Sequence, residues 1–306
     1  MNLKPSNQTQ LYGFSKTLKE LFSLYNLKKL PSKILFSGQK GIGKSTLAYH
    51  LVNYVLSLNE DNPYDSKNYL INSNNKSFIL IQNETNPNFT LIDIKPEKKN
   101  IDINQIRDLI NKIQKSSFNN KPRFILIDNI ECLNLNSINA LLKFLEEPSE
   151  NIYFILIHNN SKILPTLKSR CLNFKLFLTN NESFDITEKL LNTNIENKLN
   201  LDLINYYFTP GNIFKLVDFF EKTNFELKNL KLKEFLELVI KEKIYKKNDN
   251  LRSIIYEFVE FYLISNFILV KDNYYNYFVN RIENIKKFNI DEESFFIEFK
   301  SKILNE

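Results

Sequence analysis

Glycine is scarce in this chain, with only 5 glycines among 306 residues. Alanine and arginine are also scarce, whereas lysine, asparagine, isoleucine and phenylalanine are abundant, which is typical of a low-GC coding bias. Composition alone therefore says little about function. The bias makes each glycine informative, because glycine is needed where φ is positive or where a ligand crowds the backbone. Three of the five, Gly38, Gly41 and Gly43, fall in one short stretch.

Cysteine and histidine are equally rare, with two of each in the chain. Cys132 and Cys171 show no C-x-x-C spacing, and only His50 and His158 could join them as ligands. We therefore expect no zinc site, and no disulfide framework is indicated.

Long hydrophobic runs are nearly absent as well. The first residues contain no apolar segment, so no secretory signal is expected. Residues 254–270 are apolar, but they are short for a membrane span and are interrupted by Glu257, Glu260 and Asn266. We interpret them as a buried helix and expect a cytoplasmic protein. The net charge of +6 is compatible with contact to a polyanion without requiring it.

The glycine-containing stretch, residues 37–46, reads S-G-Q-K-G-I-G-K-S-T and includes the pattern G-x-x-x-x-G-K-[ST]. An apolar run precedes it and a helical apolar pattern follows it, which is the context of a phosphate-binding loop. Lys44 is expected to reach the β- and γ-phosphates, and the Ser45 hydroxyl to bind Mg²⁺. The predicted nucleotide-binding residues of the loop are Gly38, Gly41, Gly43, Lys44, Ser45 and Thr46.

Apolar runs that are typical of strands alternate with helical patterns through the first part of the chain. We predict strands at residues 34–36, 78–81, 89–94, 123–128, 152–157 and 172–177. We predict helices at residues 103–117, capped by Asp102, at 136–146, and in a short stretch through Lys168. Such alternation indicates a parallel α/β sheet. Residues 59–77 are rich in asparagine and are interpreted as a surface loop.

Asp128 closes the apolar run at residues 123–128, as the acid of a Walker B motif does. It would hold the Mg²⁺ shell opposite Ser45. The next residue is Asn129, whose amide cannot take a proton, so nucleotide binding with slow or absent hydrolysis is expected. Glu131 is a less favoured substitute for the missing base.

Two further positions suit contact with phosphate. Asn159, or Asn160, follows the next strand and could touch the γ-phosphate, although a turn-forming asparagine explains it equally well. Arg170 carries the planar fork that suits phosphate, and in trans it could reach a nucleotide held by a neighbouring subunit. The alternative for Arg170 is an arginine that satisfies carbonyl groups at a helix end.

Residues 139–148, which read N-A-L-L-K-F-L-E-E-P, and the S-R-C segment at 169–171 resemble signatures of the clamp-loader ATPases of the AAA+ class. The resemblance covers residues 8–178. It implies an α/β P-loop NTPase core with a parallel sheet, followed by a small helical lid and an all-α C-terminal oligomerisation domain. The expected boundaries are 1–178, 179–222 and 223–306.

Within that family the chain is most similar to the delta-prime subunits of bacterial DNA polymerase III. Asn129 stands where motor subunits carry glutamate, Phe214 stands where they carry the sensor-2 arginine, and their zinc-binding cysteines are missing. The resemblance implies a hetero-oligomer with motor subunits and a delta subunit, which places the sliding clamp on primed DNA. It also implies that Arg170 acts in trans as an arginine finger, and that ATP with Mg²⁺ is the cofactor.

Three other functions compete with this interpretation. A tau/gamma-type motor ATPase would hydrolyse ATP robustly, against which Asn129 and Phe214 argue. A small-molecule P-loop kinase would need arginine or aspartate clusters in its lid, and residues 179–222 contain no arginine. A non-catalytic DNA-binding module fits the positive charge but has no need for an intact P-loop.

Overall fold

The computed structural model describes residues 3–96, 98–114, 119–146, 151–159, 163–204, 208–223, 225–266, 272–288 and 291–305. Contacts within the chain divide it into two compact units, Met1–Thr179 and Asn180–Glu306. Each unit is described by itself.

The first unit is built on a parallel sheet. Its five strands are β1 (Lys33–Ser37), β2 (Phe89–Ile92), β3 (Arg123–Ile127), β4 (Ile152–His158) and β5 (Leu172–Lys175). They lie in the order β2-β3-β4-β1-β5, and each strand pairs with its neighbours in parallel. β1 lies between β4 and β5, and the loop that follows β1 lies at the carboxyl ends of the strands. In open α/β sheets, ligands bind in a crevice at this edge.

Helices cover both faces of this sheet. They are α1 (Ser15–Asn26), α2 (Lys44–Ser57), α3 (Lys76–Gln82), α4 (Ile103–Ile113), α5 (Leu135–Glu146) and α6 (Pro165–Lys168). Leu35, Ile125 and Leu156 share one buried cluster with residues of α4 and α5. The intervening Ile34 and Leu126 are also fully buried, so the strands are near-continuous apolar runs, as expected for a sheet covered on both faces.

The predicted parallel α/β core is confirmed, but the strand predicted at residues 78–81 is wrong. These residues lie in α3, whose first turn is capped by Asn75: its side-chain oxygen accepts a hydrogen bond from the Phe78 N–H at 2.7 Å. Phe78 and Ile81 are buried while Ile79 is 43% exposed, which is helical spacing. An apolar run this short does not distinguish a strand from a buried helix.

The cap predicted for α4 is confirmed. The Asp102 carboxylate accepts from the Asn104 N–H at 3.1 Å, and the Gln105 side chain accepts from the Asp102 N–H at 3.1 Å, which completes a capping box. The helix ends at Ile113, before the predicted end at 117, and residues 115–118 lie outside the described residues. The Asn-rich stretch at 59–77 also gives its last two residues to α3.

The second unit is helical throughout its described residues. Its helices are α7 (Asn180–Leu191), α8 (Leu201–Ile204), α9 (Pro210–Lys222), α10 (Leu232–Lys241), α11 (Ile244–Lys247), α12 (Asp249–Ser265), α13 (Asp272–Phe288) and α14 (Glu292–Phe299). One buried cluster runs through it from Ile195 to Leu304 and contains the fully buried rings of Phe235, Phe258 and Phe278. The helical region predicted after the sheet is therefore confirmed, whereas its subdivision at 222 stays a prediction.

The apolar run predicted to form a buried helix lies largely in α12, with Ile254, Phe258 and Val259 in the core. Residues 267–270 of that run lie outside the described residues. Of the helices that the structure describes, none combines the length and the apolar character needed to cross a membrane.

Candidate functional site

The sheet brings the predicted site residues to one edge. Ser37 at the end of β1 is level with His158 at the end of β4, and Ile127 at the end of β3 is level with Leu156 of β4. The loop after β1, Asp128 after β3 and Asn159 after β4 therefore lie side by side at the carboxyl ends of the strands. This is the crevice where a P-loop holds phosphate.

The backbone of the loop needs glycine at specific positions. Gly41 and Gly43 have φ angles of 90° and 99°, in the region that L-residues rarely adopt. At Gly38 the constraint is space, because a Cβ there would lie 2.2 Å from the Leu176 carbonyl oxygen. The conformation of the loop therefore requires glycine at Gly38, Gly41 and Gly43.

Lys44 opens α2 and its side chain is buried, with 3% of the residue exposed. Its ammonium group donates to the carbonyl oxygens of Gly38 at 2.8 Å and Gln39 at 2.5 Å. Burial lowers its pKa to about 8, although the charges of Asp128 and Glu131 oppose the shift. An anion held by the loop would compensate this poorly solvated cation.

Ser45 and Asp128, the two residues predicted to face Mg²⁺, are in direct contact. The Ser45 hydroxyl donates to the Asp128 carboxylate at 2.5 Å. Burial raises the pKa of Asp128, and the Asp93 charge adds to the shift, while the hydrogen bond from Ser45 lowers it. The described residues contain no cluster of three or more His, Cys, Asp or Glu side chains that could hold a metal ion alone.

These residues fit a nucleotide with Mg²⁺. A Cβ on Gly43 would meet no residue other than its chain neighbours within 4 Å, so there is open space at this point of the loop. The first N–H groups of α2 have no side-chain cap at Gly43, and Lys44, Ser45 and half-buried Thr46 form the first turn. Mg²⁺ commonly takes one or two protein ligands and completes its shell with waters and phosphate oxygens. A hydroxyl beside a carboxylate suits such an ion.

Asn129, which the resemblance places where a motor subunit carries its base, is hydrogen-bonded at both ends of its side-chain amide. Its amide nitrogen donates to the Asp93 carboxylate at 2.8 Å, and its amide oxygen accepts from the Asn159 side chain at 2.9 Å. The Asn159 amide nitrogen also donates to the Glu131 carboxylate at 2.7 Å. A row of four polar side chains therefore crosses the carboxyl ends of β2, β3 and β4. We call Asp93, Asn129, Asn159 and Glu131 the polar row.

The structure brings Asn159 next to the residues that follow Asp128, whereas Asn160 lies outside the described residues. Sequence reasoning missed Asp93. The available signal was that Asp93 directly follows β2, as Asp128 directly follows β3, and the carboxyl ends of neighbouring parallel strands meet at the same edge. Glu131, which was the less favoured candidate for a base, is held by Asn159.

Arg170 lies apart from the P-loop residues, after α6. Its guanidinium donates to the Thr166 carbonyl at 2.8 Å and to the Glu146 carboxylate, at the end of α5, at 2.5 Å. The side chain is 34% exposed. The carbonyl contact matches the helix-end alternative, and the remaining exposure leaves a cation at the surface.

Phe214, which the resemblance places at the sensor-2 position, lies in α9 of the second unit. Its side chain is buried, with 7% of the residue exposed. Thr209 is the N-cap of this helix and Pro210 is its first residue, a position that proline favours. A phenylalanine cannot provide the cation that an arginine would bring to this position.

Comparisons with known proteins identify the family of this chain. The family described as DNA polymerase III, delta subunit, matches residues 13–179, more than half of the 306 residues. A DNA polymerase III subunit delta' of Pseudomonas aeruginosa is 33% identical over 138 residues, which are 45% of this chain and 40% of that protein. A subunit gamma of Buchnera aphidicola is 29% identical over 194 residues, which are 61% of this chain and 50% of that protein.

A solved structure of a gamma subunit-related protein from Thermotoga maritima covers 85% of this chain and 76% of its own, with 19% identity and a TM-score of 0.41. The chain spans about half the length, or less, of the curated relatives that it matches.

Proposed function

Because the chain belongs to the family described as DNA polymerase III, delta subunit, we propose that it is a delta-prime-type subunit of the clamp loader. In this role it joins motor subunits and a delta subunit in a hetero-oligomer that places the sliding clamp on primed DNA during replication. The observation that carries the proposal is Asn129: an amide, held on both sides, stands at the position where a motor ATPase needs a base.

The proposed ligand of the crevice is ATP with Mg²⁺. The backbone N–H groups of residues 41–46 would bind the phosphates, and Lys44 would exchange its two carbonyl partners for phosphate oxygens. Ser45 and Asp128 would separate to face the ion between them. The γ-phosphate of bound ATP would lie near the polar row, where side chains of the row could contact it.

Weak hydrolysis follows from the same residues. Water attacking the γ-phosphate must be oriented by a group near the end of β3. Asn129 carries no charge for this task and its amide cannot take a proton, and its oxygen accepts from Asn159. Glu131 is also engaged by Asn159, at 2.7 Å. We therefore expect ATP to remain bound for many minutes without turnover, and any chemistry to occur in neighbouring subunits.

Arg170 is the group that this chain would offer to a neighbour. Its exposure, its place at a helix end and the exposure of its partner Glu146 allow it to leave that carboxylate when a phosphate approaches. A bidentate guanidinium–phosphate pair would stabilise the charge that develops during hydrolysis in the neighbouring site. In the free chain the ion pair with Glu146 holds the side chain in place.

A tau/gamma-type motor is the second candidate, favoured by the match to a gamma subunit and by the Glu131 carboxylate beside Asn159. The two candidates differ in the rate at which the isolated chain hydrolyses ATP. A motor would turn over ATP when given clamp and DNA, and a delta-prime-type subunit would not.

The test is the clamp- and DNA-stimulated ATPase rate of a reconstituted assembly that contains motor subunits, a delta subunit and this chain. We expect Arg170→Ala to lower the rate by about one to three orders of magnitude while the assembly stays intact by size-exclusion chromatography. Arg170→Lys keeps the charge but loses the planar guanidinium, so its ATPase rate should lie between those of wild type and Arg170→Ala. An unchanged rate in the alanine variant would show that Arg170 is a structural helix-end residue.

A further inference from the structure

Asp93 is the one member of the polar row that lies on β2's side of the crevice. It directly follows Ile92, the last residue of β2, and is half-buried. One of its carboxylate oxygens accepts from the Ile94 N–H at 2.7 Å and from the Asn129 side chain at 2.8 Å. Two donors on one oxygen fix the direction in which this carboxylate points.

Asn129 is held from its backbone as well as from its side chain. Its φ and ψ angles are 55° and 50°, a left-handed conformation that asparagine and aspartate adopt more readily than other non-glycine residues. Its N–H donates to the Asp128 carboxylate at 2.8 Å. An aspartate at position 129 would therefore be compatible with the backbone, so the preference for an amide has to come from the side-chain partners.

Those partners require one donor and one acceptor. Asp93 is a carboxylate and can only accept, and the Asn159 amide nitrogen can only donate. The Asn129 amide satisfies both at 2.8 and 2.9 Å. A carboxylate at 129 would satisfy Asn159 but would lie against the Asp93 carboxylate at hydrogen-bond distance, where two like charges repel strongly.

We infer that Asp93 is a positioning residue that orients the Asn129 amide and keeps a carboxylate out of position 129. The inference rests on the proposed function, since it explains why this crevice would hold ATP without hydrolysing it. It has one further consequence. A carboxylate introduced at position 129 alone would face the Asp93 carboxylate, whereas exchanging the carboxylate and the amide between positions 93 and 129 restores a donor–acceptor pair between the two side chains. The exchange removes the acceptor of the Ile94 N–H, because the same Asp93 oxygen accepts from Ile94 and from Asn129.

The exchange is tested first without nucleotide, from the thermal unfolding midpoints of the full chain and three variants. Asn129→Asp is expected to lower the midpoint by about 3–6 °C. Asp93→Asn should change it little, because the new amide oxygen still accepts from Asn129. The double variant Asp93→Asn/Asn129→Asp should recover about half or more of the midpoint that Asn129→Asp loses, the remainder being the loss of the acceptor of the Ile94 N–H, and this recovery is the coupling between the two positions.

The chain offers a matched control in Asp65 and Asn68, where the amide nitrogen donates to the carboxylate at 2.7 Å on an exposed turn. The exchange Asp65→Asn/Asn68→Asp should leave both the midpoint and nucleotide handling unchanged. Additive midpoint changes at positions 93 and 129 would overturn the inference. If Asn129→Asp does not fold, a folded double variant supports the pairing and an unfolded one contradicts it.

A second readout separates positioning from mere stability. We expect the double variant to bind ATP within about threefold of wild type and to hydrolyse it in a single turnover at least about tenfold faster than Asp93→Asn does. Equal rates would contradict the inference. If wild type binds no ATP, the proposed function fails, whereas the midpoint measurements are made without nucleotide and still decide the pairing of Asp93 with Asn129.

Discussion

The Ser45 hydroxyl donates a hydrogen bond to the Asp128 carboxylate across 2.5 Å. Ser45 lies in the first turn of α2 and Asp128 follows β3, so the bond joins the phosphate-binding loop to the middle of the sheet. Both groups would face Mg²⁺ when nucleotide is bound. Because the two side chains are already in contact, a small movement of either one would make room for the ion between them.

Replacing Lys44 with alanine should weaken ATP binding by about 10- to 100-fold, because a charge-assisted contact with phosphate is lost. The measurement is a titration of the chain with ATP and Mg²⁺ followed by calorimetry. Lys40, in the same loop, is exposed and serves as the matched control: Lys40→Ala should leave the affinity within about threefold of wild type. Equal losses in the two variants would mean that the loop attracts ATP only by its general charge.

Two glycines of the loop should respond differently to alanine. Gly38→Ala places a methyl group against the Leu176 carbonyl oxygen and should destabilise the first unit by about 1–3 kcal/mol. Gly43→Ala has space for its methyl but forces a φ near 99°, and the methyl enters the space proposed for phosphate. It should therefore lose ATP affinity more than Gly38→Ala does. Denaturant unfolding and ATP titration of both variants measure the two effects.

His50 should make the stability of the first unit depend on pH. It is fully buried, its Nδ1 lies 2.9 Å from the Tyr64 hydroxyl and its Nε2 lies 3.2 Å from the Gln8 carbonyl oxygen. Burial lowers its pKa from 6.5 to about 4, so the folded state holds it neutral. The contribution of neutral His50 to the free energy of unfolding is complete above pH 6.5, where His50 is unprotonated in both the folded and the unfolded state. This contribution is lost as the pH falls towards 4, because His50 takes up a proton in the unfolded state first.

The loss attributable to His50 should reach roughly 3 kcal/mol by pH 4. Urea unfolding at several pH values between 7.5 and 4 compares wild type with His50→Gln, which cannot titrate in this range. The difference in the free energy of unfolding between wild type and His50→Gln should become smaller as the pH falls. Parallel pH profiles for the two chains would show that His50 is not the group responsible.

Much of the first unit could be predicted from local patterns. The loop around Gly43 has a signature of fixed spacing, the buried strands are continuous apolar runs, and Asp102 with Gln105 forms a capping box that is read from four consecutive residues. Each of these features depends on neighbours in the sequence. The local sequence is therefore enough to predict them.

The errors occurred where tertiary context decides. Residues 78–81 are apolar enough for a strand, and only the cap from Asn75 and the burial of Phe78 and Ile81 make them helical. Asn129 donates to Asp93, which is 36 residues away in the sequence. Arg170 donates to Glu146, which is 24 residues away. Spacing in one sequence does not show which side chains meet across a sheet.

The most direct test of the account is to measure ATP binding and ATP turnover on the same preparation of the isolated chain with Mg²⁺. We predict saturable binding that Lys44→Ala weakens, with turnover on the order of 10⁻³ per second or slower. Radiolabelled ATP retained on a filter gives the bound fraction, and released phosphate gives the rate. Rapid turnover would contradict the account and favour a motor subunit, and absence of binding would contradict the proposed role of the loop.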